Sequence, residues 1–200
     1  MQRPVILPRL VALALSATAC GRSVPSRYYV LDCPAEAVHA ENLPRLTLRV
    51  ARVNIPPYLD RAGIVSRERG HARLDVAEAH LWAEPLAEGV RRIIQETLTP
   101  PLLQAGMTVL PLGNEKEGAY ILLIDIQRLE GTFDGPANLI GRWEVIDEGE
   151  RCVGNGIYTA SGEVQGHAYG QLVEAESRLI REFALYLTEK LKLLARKGTP

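Results

Sequence analysis

Two hundred residues carry 23 Lys and Arg against 24 Asp and Glu, so the net charge is −1, with both signs mixed along the chain. That balance excludes a basic nucleic-acid surface and an acidic tail. With 46% hydrophobic residues, the chain can fill one domain, and no apolar run is long enough to span a bilayer.

The chain opens with Arg3 and Arg9, runs through Leu10, Val11, Leu13 and Leu15, and turns small at Ser16, Ala17, Thr18 and Ala19 before Cys20. A charged segment, an apolar core of roughly ten residues and a small-residue cleavage site make a secretory signal peptide. A thiol directly after that site can carry acyl chains such as palmitate. Residues 1–19 are therefore read as a lipoprotein signal, Cys20 as the lipidated residue and 20–26 as a polar tether. Ala17 stands where leucine is commoner in a lipobox. Each buried methylene adds about 0.8 kcal/mol, so several chains anchor firmly where one is marginal. Gly21 follows in place of the aspartate that resembles an inner-membrane retention signal, which favours the periplasmic face of the outer membrane. Cys33 and Cys152 remain in an oxidising compartment, where disulfides persist. A bridge between them would add about 4–5 kcal/mol in the chain-entropy model; two buried free thiols are the alternative, and both stay open.

"RYYVLDC" reads as a first strand, followed by a loop between Pro34 and Pro44. In "RLTLRVARVNIP", Leu46, Leu48 and Val50 alternate with polar residues, the pattern of a strand with one buried face. The phase slips to Val53 and Ile55, which predicts a bulge near Ala51-Arg52. "GIVSRERGHARLDVAEA" predicts a hairpin about Arg69-Gly70. From Trp82 the period becomes helical, through Leu86, Val90, Ile93, Ile94 and Leu98, and Pro100-Pro101 is expected to end the helix. "TVLPL" is a short strand and "GAYILLIDIQRLEGTF" a long central one. "ANLIGRWEVID" and "RCVGNGIYTASGEV" predict a hairpin across Asp147–Glu150. Leu172, Val173, Leu179, Ile180, Phe183, Leu187, Leu191 and Leu194 form the stripe of a last helix from about Tyr169 to Ala195, about 40 Å long at 1.5 Å per residue. The expected class is α+β, a single-domain sandwich of a mostly antiparallel sheet with two helices on one face, over 27–200.

Little here points to catalysis. His39, His71, His80 and His167 share no metal spacing, and "GNG" at 154–156 precedes no helix and is no phosphate loop. "TASGEV" lacks the surroundings of a nucleophilic serine. The chain is read as a non-enzyme without cofactor. "NIPPYLDRAGIV" is more unusual. Pro56 and Pro57 stiffen the backbone and remove two donors from any ladder, which presents Tyr58 and Leu59 at a sheet edge. These four residues are expected either to meet a partner, as a low-entropy anchor, or to close the core as a packed loop.

The signal at Cys20, "YYVL" (28–31), "RVNIPPYLDRAGIV" (52–65), "HLWAEPLAEGVRRIIQETL" (80–98) and the long last helix together resemble the ABC-type transport auxiliary lipoproteins, in particular the PqiC type. The resemblance covers essentially the whole chain after the signal. It implies a small α/β sandwich with no catalytic residues. It also implies a place beside membrane-embedded transporter subunits and periplasmic MCE-domain proteins, in lipid traffic between membranes and in envelope integrity. A homo-oligomer is left open. The alternative function is a regulatory lipoprotein that activates a cell-wall synthase, since similar small sheet-and-helix lipoproteins do that.

Overall fold

The computed structural model describes residues 24–34, 46–111 and 119–197. Along them run β1 (Arg27–Tyr29), β2 (Leu46–Asn54), β3 (Gly63–Arg67), β4 (Leu74–Trp82), α1 (Leu86–Gln104), β5 (Met107–Val109), β6 (Ala119–Gly131), β7 (Pro136–Ile146), β8 (Cys152–Glu163) and α2 (Tyr169–Lys197). The signal segment, Cys20 and the loop from 35 to 45 lie outside the described residues. The eight strands form one sheet, and α1 and α2 pack on each other and on the sheet. The α+β class stands as expected.

The sheet is mixed, which corrects the expectation of a mostly antiparallel one. The pairs β3–β4, β6–β7 and β7–β8 are antiparallel, but β1–β4, β2–β5, β2–β6 and β3–β6 are parallel. The antiparallel pairs are joined by short turns, and turn residues announce them. The parallel pairs join segments far apart in sequence, and parallel neighbours need a long crossover that leaves no local mark. Between β2 and β5 the chain runs through β3, β4 and α1.

Strand β6 organises the whole. One edge pairs with β7 along almost its full length. The other edge is shared: β2 takes residues 119 to 125, and β3 meets it at Gly131. The stretch between is left to the connection from β2 to β3, which carries Pro56, Pro57, Tyr58 and Leu59. The bulge predicted near Ala51-Arg52 appears as a register shift between Val50 and Val53. Arg91 of α1 donates from Nε and Nη2 to the Val50 carbonyl at 3.2 and 2.8 Å.

Helix α1 does not stop at the proline pair; Pro100 and Pro101 lie inside it. Prolines remove the N–H groups that would reach back one turn, yet Ile94, Leu98 and Leu102 fall four apart and are fully buried. Burial of Leu102 holds the last turn in place, and the Thr99 hydroxyl donates to the Gln95 carbonyl at 2.7 Å. Packing overrides the local preference.

Helix α2 lies over β7 and β8, where the sheet is built to receive it. Phe183, fully buried, covers Gly141, and its ring stacks on Tyr158 with centroids 5.1 Å apart. Gly154 and Gly156, the glycines of "GNG", make room for Trp143: a Cβ at Gly156 would stand 3.0 Å from the indole nitrogen. Gly63 is under tighter constraint at the β3–β4 irregularity. A Cβ there would run into the backbone carbonyl of Ala77 and lie 2.9 Å from a Val76 methyl. Gly63→Ala is expected to cost about 1–3 kcal/mol, as overpacking does, because a backbone atom has no rotamer to escape into. An unchanged urea midpoint would show that the two strands separate freely.

Candidate functional site

Alternation on β6 decides what the β2–β3 connection meets. Glu130 stands opposite Asn138, and Arg128 opposite Ile140, so both lie on the sheet face away from the helices. Glu130 is nevertheless buried, at 1% exposure. Its Oε2 accepts from the Tyr58 hydroxyl at 2.7 Å. Its Oε1 accepts from Arg67 Nε and Nη2 at 3.1 and 2.8 Å, and from Arg128 Nε at 2.6 Å. Burial alone would raise this carboxyl, but the bonds from Tyr58, Arg67 and Arg128 outweigh it and hold Glu130 below its ordinary range. Tyr58 is pushed the other way, first by burial and then by the Glu130 carboxylate, so its hydroxyl stays protonated. One carboxylate faces two guanidinium groups, which leaves the cluster with an excess positive charge. Both arginines are partly exposed.

Behind the cluster, on α2, sits a second carboxyl. Glu176 is fully buried with Val173 and Ile180 on the apolar stripe, and its Oε2 has no hydrogen-bond partner. Burial first, and the Glu130 charge second, raise it well above the ordinary carboxylate range. A carboxyl raised on folding contributes stability in full below its unfolded value, about 4.3, and that contribution is lost as pH rises through the folded value. Glu176→Gln, neutral at every pH, is therefore expected to flatten the alkaline limb of the stability profile. Parallel profiles for the two proteins between pH 5 and 9 would show Glu176 ionised in the fold.

A third feature runs along the helix layer. The segment after β1 crosses both helices: Arg92 of α1 donates to the Leu31 carbonyl at 2.8 Å, and Arg181 of α2 donates to that of Asp32 at 2.6 Å. It ends at a groove of about 420 Å³ between α1 and α2, lined by Cys33, Pro100, Pro101, Arg178, Glu182 and Leu185. The groove is apolar, and Glu96, Arg178, Arg181 and Glu182 put charges of both signs at its rim.

The expected site residues divide accordingly. Leu59 is buried in the core at 1% exposure and unavailable to a partner, and Tyr58 is half-buried with its hydroxyl taken by Glu130. Pro56 is partly covered and Pro57 alone of the four is exposed. The connection thus covers the Glu130 carboxylate with Tyr58 and the core with Leu59. Cys33 and Cys152 are both free thiols. The first hydrogen-bonds Thr97 Oγ1 at 3.4 Å on α1, and the second lies at the start of β8 beside Asn155. His80 is held by Tyr29 at 2.7 Å and stacks on Tyr169, as a structural histidine does. Among the described residues no group of His, Cys, Asp and Glu is placed to hold a metal, and no helix is long and apolar enough to cross a membrane. Sequence reasoning missed Arg67, Arg128, Glu130 and Glu176. The signal for Glu176 was present, since it falls three residues after Val173 and four before Ile180 on an otherwise apolar stripe.

Comparison with known proteins agrees with this architecture. The intermembrane transport lipoprotein PqiC of Escherichia coli (strain K12) is 23% identical over 151 residues, 74% of this chain and 75% of that one. A crystal structure of an uncharacterized protein superposes with a TM-score of 0.69 at 19% identity, covering 84% of this chain and 99% of the other. A Xanthomonas campestris protein gives 0.66 at 15% identity, covering 87% and 99%. These two establish the fold. The family described as "ABC-type transport auxiliary lipoprotein component" matches residues 29–186, which takes in every described element but the ends of β1 and α2, and the chain belongs to that family.

Proposed function

We propose that this protein is a non-enzymatic subunit of an intermembrane lipid transport system, held by acyl chains on Cys20 at the periplasmic face of the outer membrane. The family match over residues 29–186 carries the reading. The run from Ala17 to Cys20 supports the anchor, and the printed name of the Escherichia coli relative supports intermembrane transport. The site agrees with a binding role. Its buried Glu130 carboxylate is held by Tyr58, Arg67 and Arg128, and an apolar groove lies between α1 and α2. A membrane-embedded transporter subunit and a periplasmic MCE-domain protein are the partners this reading requires.

Labelling cells with a fatty acid tests the anchor. The wild-type protein should take up label and fractionate with the outer membrane, and Cys20→Ala should do neither. Equal labelling of both would overturn the anchor. Cross-linking in intact envelopes tests the partners: an MCE-domain protein is expected, and a peptidoglycan synthase in its place would turn the function to the regulation of cell-wall synthesis.

A further inference from the structure

Exposed apolar side chains scattered singly need no explanation, but a cluster of them marks a contact surface. Leu123, Ile157, Leu185 and Leu193 are scattered in this way over β6, β8 and α2. At one end of the sheet the pattern changes. Val24, Tyr28 and Val30 are 74%, 68% and 49% exposed within one short stretch of chain, and Val76 on the adjoining β4 is a fourth, at 44%.

Alternation fixes where two of them point. Tyr29 turns to the helix side, where its hydroxyl meets His80 at 2.7 Å and His80 stacks on Tyr169 of α2. Leu31 follows it into the core. Tyr28 and Val30 therefore project from the opposite face of the sheet, where Tyr28 lies in register with Leu81. The same stretch is the described part of the chain nearest Cys20 in sequence. An extended residue spans at most about 3.6 Å, so Val24 stays within about 14 Å of Cys20. A tether that short makes docking on the anchoring lipid intramolecular, and a patch too small to hold a free partner then suffices.

We infer that Tyr28 and Val30, with Val24 beside them, form a membrane-contact patch seated at the headgroup boundary of the phospholipid leaflet that holds the anchor. The inference rests on the acylation of Cys20 and adds a second, non-covalent contact to it. Tyr28 suits that boundary, since its ring is apolar and its hydroxyl stays in the wet layer. Depth is limited by the backbone. Strand β1 pairs with β4 alone among the described residues, and its open edge belongs among hydrated headgroups, because unpaired backbone groups do not enter hydrocarbon. Docking lays the β1 end of the sheet on the lipid. Strand β8, at the other end of the strand order, is then held away from it.

Site-specific fluorescence tests it in the full chain, expressed with its signal, isolated from the envelope and returned to vesicles of phosphatidylethanolamine and phosphatidylglycerol. Cys33 and Cys152 are replaced by serine, and a polarity-sensitive thiol label is placed at Val24→Cys, Tyr28→Cys, Val30→Cys or, as the control on α2, Leu193→Cys. All four positions are exposed, so each protein should keep the denaturation midpoint of its parent. Emission at Tyr28→Cys and Val30→Cys should shift to the blue and be quenched by a phospholipid carrying a nitroxide near its headgroup, and Leu193→Cys should show neither. Tether proximity alone would make quenching fall from Val24 to Val30, whereas docking holds Val30→Cys as strongly quenched as Val24→Cys. A steady fall toward the Leu193→Cys level would overturn the inference. So would a blue shift without quenching, which would place a protein, such as a second copy, on the patch. Mass spectrometry of the isolated protein separates the two readings: acylated protein unquenched at Tyr28→Cys and Val30→Cys overturns this inference alone, and protein without acyl chains overturns the anchor and the patch together.

Discussion

Replacement of Glu130 by alanine is expected to lower the unfolding free energy by about 3–5 kcal/mol, the range for removing one partner of a buried ion pair. The reason is what it leaves behind. Tyr58 would lose its acceptor, and Arg67 and Arg128 would face each other across the place of the carboxylate that separates them. Partial exposure lets the two guanidinium groups recover some water, so the lower half of the range is the better expectation. The pH dependence carries the sign of a lowered carboxyl: its contribution is present above the unfolded value of about 4.3 and is lost as pH falls through the folded one. Chemical denaturation of wild type and Glu130→Ala should therefore differ most near neutrality and converge in acid. A gap that stays constant from pH 7 to pH 3 would place the cost in packing rather than charge.

Trp82→Ala should cost about 3–5 kcal/mol, as deletion of a buried aromatic side chain does. Trp82 closes β4 at 8% exposure and belongs to the core cluster with Leu86 and Leu31. Its N–H on the backbone donates to the Ala62 carbonyl at 2.8 Å, and its register partner is Tyr29 of β1. Loss of the indole thus empties the joint where β1, β4 and the start of α1 meet. Denaturant titration followed by far-ultraviolet circular dichroism measures it. A midpoint within error of wild type would mean that the surrounding side chains collapse into the space without penalty.

The parts legible in the sequence were those with local causes. Alternation at Leu46, Leu48 and Val50, the slip to Val53, the turn about Gly70 and the long stripe of α2 each state their structure within one or two turns of chain. The Pro100-Pro101 pair was misread because a local rule met a non-local force, the burial of Leu102. The direction of strand pairing was misread for the same reason, since no residue near Thr47 announces Ala119 as its neighbour. At the candidate site, the proline pair marks the segment that carries Tyr58. Its partner Glu130 could not be seen, because a carboxylate on an alternating strand looks exposed until a loop covers it. The mutual satisfaction of Tyr58, Arg67, Arg128 and Glu130 joins two strands, β3 and β6, and a connection, and only the assembled sheet brings them together.

The shared edge of β6 also bears on the order in which the molecule can assemble. The ribbon from β6 through β8 is closed by two short turns, and the β3–β4 hairpin by another, so these pieces need little loop entropy to form. Thr47 and Ala119, by contrast, meet only after the intervening chain, helix α1 included, has been brought round. Non-local parallel pairing of that kind is slow. While it is pending, the receiving edge of β6 lies bare, with Ile121, Leu122, Leu123 and Ile124 along it. A newly made chain is therefore most prone to aggregate in this interval, and a chaperone that holds it would shield β6 until β2 arrives.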